Sequence, residues 1–258
     1  MAGTSLAKVR GRVYAFTNQK GGVGKTTSAV NLAACLAEAG ERALVIDLDP
    51  QANATSGLGM RANGASSYDL LDGASVEELA KATAFPNLFL IPSKPELAGA
   101  AVELARREDG EGFLAASLAR SSGFDFVLLD CPPSLGPLTV NALVAADRVI
   151  VPVQAEYYAL EGLAQLMQSI SLIKARLNPR LAVAGVLITM SDARTNLAAD
   201  VEREVRAHFG SLVFDAVVPR SVRVAEAPSH GLPITRYDRR SAGAEAYWKV
   251  AMELVERS

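Results

Sequence analysis

Short runs of consecutive apolar and β-branched residues alternate along the chain with longer stretches in which apolar positions recur every three or four residues. The short runs predict strands at residues 12–17, 43–48, 88–91, 124–129, 148–153, 181–189 and 214–218. Several are apolar almost throughout, as strands covered on both faces of a parallel sheet are. The longer stretches predict helices at 26–39, 76–83, 95–107, 138–145, 160–177, 197–209 and 242–257. Gly40, Gly210 and the pair Asn178-Pro179 stand just past three of them, and these residue types stop helices. Strand and helix alternate from one end to the other, which predicts a doubly wound α/β fold: a mostly parallel sheet with helices on both faces. Residues 12–258 read as a single domain behind a short extension, 1–11. Residues 53–95, with weaker periodicity and many small side chains, read as a peripheral insertion.

Composition narrows the function classes. Half of the 258 residues are hydrophobic and 21% are charged, a balance that suits a folded domain and not a disordered chain. The formal net charge of -2 excludes a protein that coats nucleic acid by bulk attraction, so any contact with DNA has to come from local arrangement. Cys35 and Cys131 lie far apart with no second Cys or His at ligand spacing, which argues against a disulfide framework or a zinc site. The first residues hold no apolar run of the secretory kind, and the longest apolar stretch, 181–190, is about half of the ~20 residues a membrane-spanning helix needs. The expectation is a soluble, cytoplasmic protein.

The chemistry starts after the first strand, at Lys20-Gly21-Gly22-Val23-Gly24-Lys25-Thr26-Thr27. Small residues let successive backbone N–H groups turn inward around a β-phosphate while a helix opens behind them. Lys25 is then placed to reach the β- and γ-phosphate oxygens and the Thr26 hydroxyl to bind Mg²⁺. Asp47 and Asp49 close the second strand and Asp130 follows the apolar run 126–129. Acids at the carboxyl ends of parallel strands face the crevice in which such sheets bind ligands.

These residues carry a resemblance. The segment from Lys20 to Thr27 resembles the deviant Walker A motif of the ParA/MinD superfamily, whose additional lysine falls at Lys20. TNQKGGVGKTT, LVIDLDPQANATSGLG, DFVLLDCPPSLG and PRSVRVAEAPSHGLPI resemble the ParA/Soj chromosome and plasmid partition ATPases over nearly the whole chain beyond Gly11. The resemblance implies an ATPase with ATP and Mg²⁺ as cofactors. Lys20, Gly21, Gly22, Val23, Gly24, Lys25, Thr26 and Thr27 would hold the phosphates, and Met190, Pro219 and Ser221 the base. Thr26 and Asp130 would hold the magnesium ion, Asp130 through a water, with Asp47 supporting the metal or loop groups. Lys20, Lys25 and Asp49 would be catalytic, Asp49 by orienting the attacking water. It further implies an ATP-dependent homodimer, closed face to face at Gly21, in which Lys20 reaches the partner's phosphates.

Two departures from the family pattern stand out: Ala52 where DPQGN would have glycine, and Ser221 where asparagine is frequent. Either positive φ is not required at Ala52, or some strain is tolerated there. Between 216 and 240 five arginines face Glu226 and Asp238. With the resemblance, Arg194, Arg220 and Arg223 become the candidates for sequence-independent contact with double-stranded DNA phosphates. Partners implied are DNA and a ParB/Spo0J-type centromere-binding protein that stimulates hydrolysis, with localisation at the nucleoid. A MinD-like membrane-cycling ATPase is the alternative. No stable membrane anchor is expected, since residues 245–258 hold three Glu against one Lys and one Arg. An iron-sulfur ATPase would need two suitably placed cysteines, and Cys35 inside a helix is a poor one. His208 and His230 read as capping or surface residues, and Tyr157, Tyr158 and Trp248 as core or interface aromatics.

Overall fold

Seven strands form one sheet in the order β3-β4-β2-β5-β1-β6-β7 in the computed structural model, which describes residues 11–156 and 159–257. Tyr157, Tyr158 and all of the expected extension except Gly11 lie outside the described residues. The strands are β1 (Arg12–Phe16), β2 (Ala43–Asp47), β3 (Lys81–Ala82), β4 (Leu88–Ile91), β5 (Phe126–Asp130), β6 (Arg148–Gln154) and β7 (Ala182–Thr189). Every pairing is parallel except the edge pair β3–β4. The helices are α1 (Lys25–Glu38), α2 (Asn53–Gly57), α3 (Ser67–Leu71), α4 (Val76–Leu79), α5 (Leu97–Leu104), α6 (Phe113–Ala119), α7 (Pro137–Ala145), α8 (Ala159–Arg176), α9 (Asn196–Phe209), α10 (Val222–Glu226), α11 (Ile234–Tyr237) and α12 (Ala242–Glu256).

The nearly continuous apolar runs follow from burial of both sheet faces. Along β1, Val13 and Ala15 enter one core, with Leu138 of α7, Leu163 of α8 and Val201 of α9. Tyr14 and Phe16 enter the other, with Leu32 and Leu36 of α1 and Tyr247, Val250 and Leu254 of α12. The period-2 alternation of the strand therefore separates two apolar layers, and past the exposed Arg12 no position along β1 is polar. β1 sits between β5 and β6, while the chain leaving β1 travels to β2 on the far side of β5. The switch in direction opens the crevice at the carboxyl ends of β1 and β5.

Three sequence expectations change. Residues 76–83 stop being helical after Leu79: Ala80 is extended and Lys81–Ala82 pair with β4. Residues 214–218 form no regular strand. Phe214 and Val218 donate N–H bonds to Val186 and Ile188 of β7, but Asp215 and Ala216 donate theirs to the Glu253 carboxylate, at 2.9 and 3.2 Å. A side chain thus takes the donors a ladder would use. Residues 53–95 are no peripheral insertion, because β4 pairs with β2, Leu70 and Val76 join the core, and α2 borders the crevice.

No helix among the described residues is long and apolar enough to cross a membrane. Cys35 and Cys131 are both buried and unpaired. His208 Nδ1 lies 2.9 Å from the Glu204 carbonyl in the last turn of α9, His230 stacks on Tyr237, and Trp248 packs partly buried against the core.

Candidate nucleotide site

The loop between β1 and α1 bends through Gly22 and Gly24, at φ of 76° and 85°, a backbone region that strains any side chain with a Cβ. Gly24 caps α1 without a side-chain acceptor, so the first N–H groups of this 14-residue helix have no side-chain partner at the cap. That end of α1 is ready to receive an anion. Lys25 is buried, and its Nζ donates to the Lys20 carbonyl at 3.1 Å. Burial lowers its pKa from the usual lysine value, opposed chiefly by Asp130. Lys20 donates its N–H to Asn18 Oδ1 at 3.0 Å, and its Nζ forms an ion pair with Glu156. Asn18 in turn donates to the Pro152 carbonyl at 2.8 Å, tying the loop to β6.

The three acids divide into distinct environments. Asp47 accepts from the N–H of Asp49 at 3.1 Å through one oxygen, and from the N–H and hydroxyl of Thr55 at 2.9 and 2.7 Å through the other. Of the two roles open to it, support of loop groups has the hydrogen bonds. Burial still pushes its carboxyl up to about 6. Asp49 accepts from the Gln51 N–H at 2.9 Å and borders the cleft. Asp130 is fully buried, and neither of its oxygens has a hydrogen-bond partner. Burial first, and Asp47 second, raise its pKa well above the ordinary aspartate value, while the nearby Thr26 hydroxyl and Lys25 favour the charged form. An unpartnered carboxylate there is costly unless a cation arrives.

Two adjoining cavities complete the site. The first, about 410 Å³, is bordered by Gly21, Gly22, Gly24, Lys25, Thr26 and Thr27 on one side and by Asp49, Gln51, Asn53 and Ser56 on the other. The second, about 390 Å³, runs between Met190, Val218, Pro219, Ser221, Val224 and Tyr247. Gly24, Thr27 and Met190 border both, so the polar and apolar chambers meet beneath the loop. Met190 adopts φ 50° at this junction, and Ala52 φ 53° beside Asp49. The chain tolerates a left-handed alanine where the family pattern has glycine. Ser221 accepts from the Val224 N–H at 3.4 Å and so caps α10.

Most sequence-predicted residues converge on these chambers, Val23 being buried behind the loop. Gln51, Asn53, Ser56, Pro133 and Pro228 also border the first. Only their neighbourhood to Asp49 and Asp130 signalled the first four, and nothing local signalled Pro228. Arg194 and Arg220 lie on loops joined by backbone bonds, Ser191 N–H to Val218 and Arg220 N–H to Ser191, at 3.2 and 2.9 Å, and Arg223 follows in α10. Arg194, 87% exposed, grips Asp192 with both arms of its guanidinium, at 2.8 and 2.7 Å. Arg223 pairs with Glu226 at 3.3 Å and Asp238 at 3.8 Å.

A parallel sheet, a glycine loop opening onto a helix with Lys25-Thr26, and a buried acid on the next strand define a P-loop nucleotide-binding protein of the ParA/MinD type. The AAA domain family matches residues 11–183. The chromosome-partitioning ATPase Soj of Thermus thermophilus is 52% identical over 252 residues, spanning 98% of each chain. Soj of Treponema pallidum is 50% identical over 249 residues, spanning 96% of this chain and 98% of its own. The chain belongs to the Soj/ParA family of chromosome-partitioning ATPases. Among solved structures, cobyrinic acid a,c-diamide synthase from Mycobacterium smegmatis, with bound ADP and magnesium, superposes with a TM-score of 0.83 at 37% identity, covering 95% of this chain and 94% of that one. The cell division ATPase MinD of Pyrococcus furiosus gives 0.78 at 26% identity, covering 96% of this chain and all of that one.

Proposed function

We propose that the chain is a DNA-segregation ATPase in which Mg·ATP pairs two copies, the pair holds DNA without sequence preference, and hydrolysis releases it. The observation that carries this reading is Asp130, buried and unpartnered beside Lys25 and Thr26. Its chemistry fits a divalent cation, with Thr26 and Asp130 as the holding residues and Asp47 fixing the Asp49 loop. Solved relatives were crystallised with ADP or an ATP analogue and magnesium, which supports ATP and Mg²⁺ as the ligands. A bound magnesium ion supplies charge neutralisation at the phosphates.

The chain's own residues do the rest. The loop N–H groups and Lys25 bind phosphate oxygens, with Lys25 exchanging the Lys20 carbonyl for them. Asp49, at the cleft border, orients the attacking water. The apolar chamber at Met190, Pro219 and Ser221 receives the base. Among the described residues a Cβ at Gly21 would approach only Pro133, at 4.0 Å, so none of them demands glycine there. Close packing of a second copy would. Lys20 is half-exposed and can leave Glu156 to reach the partner's phosphates, adding positive charge where negative charge develops.

Arg194 and Arg220 from adjoining loops and Arg223 from α10 meet DNA phosphates, and pairing doubles their number. A ParB/Spo0J-type protein stimulates hydrolysis, and the molecule resides at the nucleoid. Residues 12–258 act as one ATPase domain. Membrane cycling gains no support from α12, which lays Tyr247, Val250 and Leu254 into the core. The test is retention on double-stranded DNA with ATP or ADP across a salt series. Retention with ATP alone that falls steeply with salt is expected, and equal retention without nucleotide would defeat the reading.

A further inference from the structure

The end of β7 reaches under the phosphate loop at one residue whose contacts exceed those of a wall. Thr189 is buried, and its hydroxyl lies 2.8 Å from the Val23 carbonyl and 3.2 Å from the Val153 carbonyl of β6. With one proton to give, the nearer Val23 oxygen is the main acceptor. Its Cβ and methyl also lie 3.7 Å from where a Gly24 Cβ would stand. Thr189 therefore holds the Val23–Gly24 peptide unit by its carbonyl and lies beside Gly24.

In a trans peptide the C=O and the following N–H point in opposite directions. Holding the Val23 carbonyl toward β7 thus turns the Gly24 N–H away from β7, and Gly24 itself borders the phosphate chamber. A peptide unit followed by glycine is the kind most easily turned over, because glycine accepts φ of either sign. Turning it over would aim a carbonyl where a donor is needed and leave Val23 oxygen buried without a partner. We infer that Thr189 is a positioning residue for nucleotide binding, which keeps the Val23–Gly24 peptide oriented for phosphate before any ligand arrives. This rests on the reading of the cleft as an ATP site.

The test compares wild type, Thr189→Val, Thr189→Ser and Thr235→Val. Thr235 is equally buried and its hydroxyl bonds Glu38 at 2.7 Å, remote from the loop, so it controls for loss of a buried hydroxyl. Titration with a fluorescent ATP analogue and Mg²⁺, with steady-state kinetics, should show Kd and KM raised about three- to tenfold in Thr189→Val, the range of one hydrogen bond. The kcat should stay within about twofold. Thr189→Ser should restore affinity and Thr235→Val should keep it. Without nucleotide, the Gly24 amide NMR resonance should shift or broaden in Thr189→Val alone as the peptide loses its fixed orientation, a readout that does not depend on ATP. Affinity unchanged in Thr189→Val, no better in Thr189→Ser, or equally lost in Thr235→Val would overturn the inference. A wild-type chain that fails to bind ATP would overturn the reading of the site as well.

Discussion

The two chambers of the site differ in what the chain leaves unsatisfied. The phosphate chamber holds a buried acid with no partner, a buried lysine resting on a backbone carbonyl, and a helix start with no side-chain cap. The base chamber is lined by apolar side chains with Ser221 already engaged as a cap. One side stores electrostatic cost that a charged ligand and its cation relieve; the other offers shape and burial. On the proposed reading, triphosphate, diphosphate and metal are distinguished in the first chamber, and the base only adds affinity.

Changes in the phosphate chamber should break this contrast most. Lys25→Ala is expected to weaken nucleotide binding by about a hundredfold or more, since charge-assisted bonds to phosphate in a buried site are lost. Titration with a fluorescent ATP analogue measures this. Asp130→Asn should act in opposite directions on fold and ligand. Relieved of an unpaired buried charge, the free protein should gain about 1–3 kcal/mol in chemical denaturation at neutral pH. The same variant should lose the Mg²⁺ dependence of its nucleotide affinity.

Acidity gives a second handle on the stored cost. The Asp47 carboxyl, held up to about 6 by burial, binds its proton more tightly folded than unfolded. Its contribution to stability is present below the unfolded value near 3.8, and is lost as pH rises through 6. Asp130, also raised, adds in the same direction. From Asp47 alone the nucleotide-free protein should therefore lose about 2 kcal/mol between pH 4 and 6.5, and Asp47→Asn should flatten the profile. Thermal melting across pH checks the slope. The smallest effect is Ala52→Gly, which removes left-handed strain and should stabilise the fold by about 0.5–1 kcal/mol, read as a shift in denaturation midpoint.

The same contrast governs how much was legible beforehand. The phosphate chamber could be read because its requirements are local. Gly22 and Gly24 announce positive φ, Lys25-Thr26 follow at fixed spacing, and Asp130 ends an apolar strand. The parallel sheet was legible for a related reason, since β1, β2, β5 and β6 are buried on both faces and so apolar at successive positions. The base chamber depends on tertiary partners. Residues 214–218 look like a strand, yet Glu253, far along the chain, takes two of their donors. Short helices α2, α10 and α11 span four or five residues, too few for a hydrophobic period to show. The grip of Thr189 on Val23 likewise carries no local signature, because its acceptor lies far along the chain.

On the proposed reading, the phosphate chamber converts nucleotide state into pairing of two chains, with Lys20 leaving Glu156 to complete the partner's site. Light scattering of the purified protein with Mg·ATP, with Mg·ADP, and as Lys20→Ala with Mg·ATP tests it most directly. A doubled mass is expected with ATP only, and a single-chain mass for Lys20→Ala although that variant still binds nucleotide. A mass that ignores the nucleotide, or full pairing in Lys20→Ala, would contradict it.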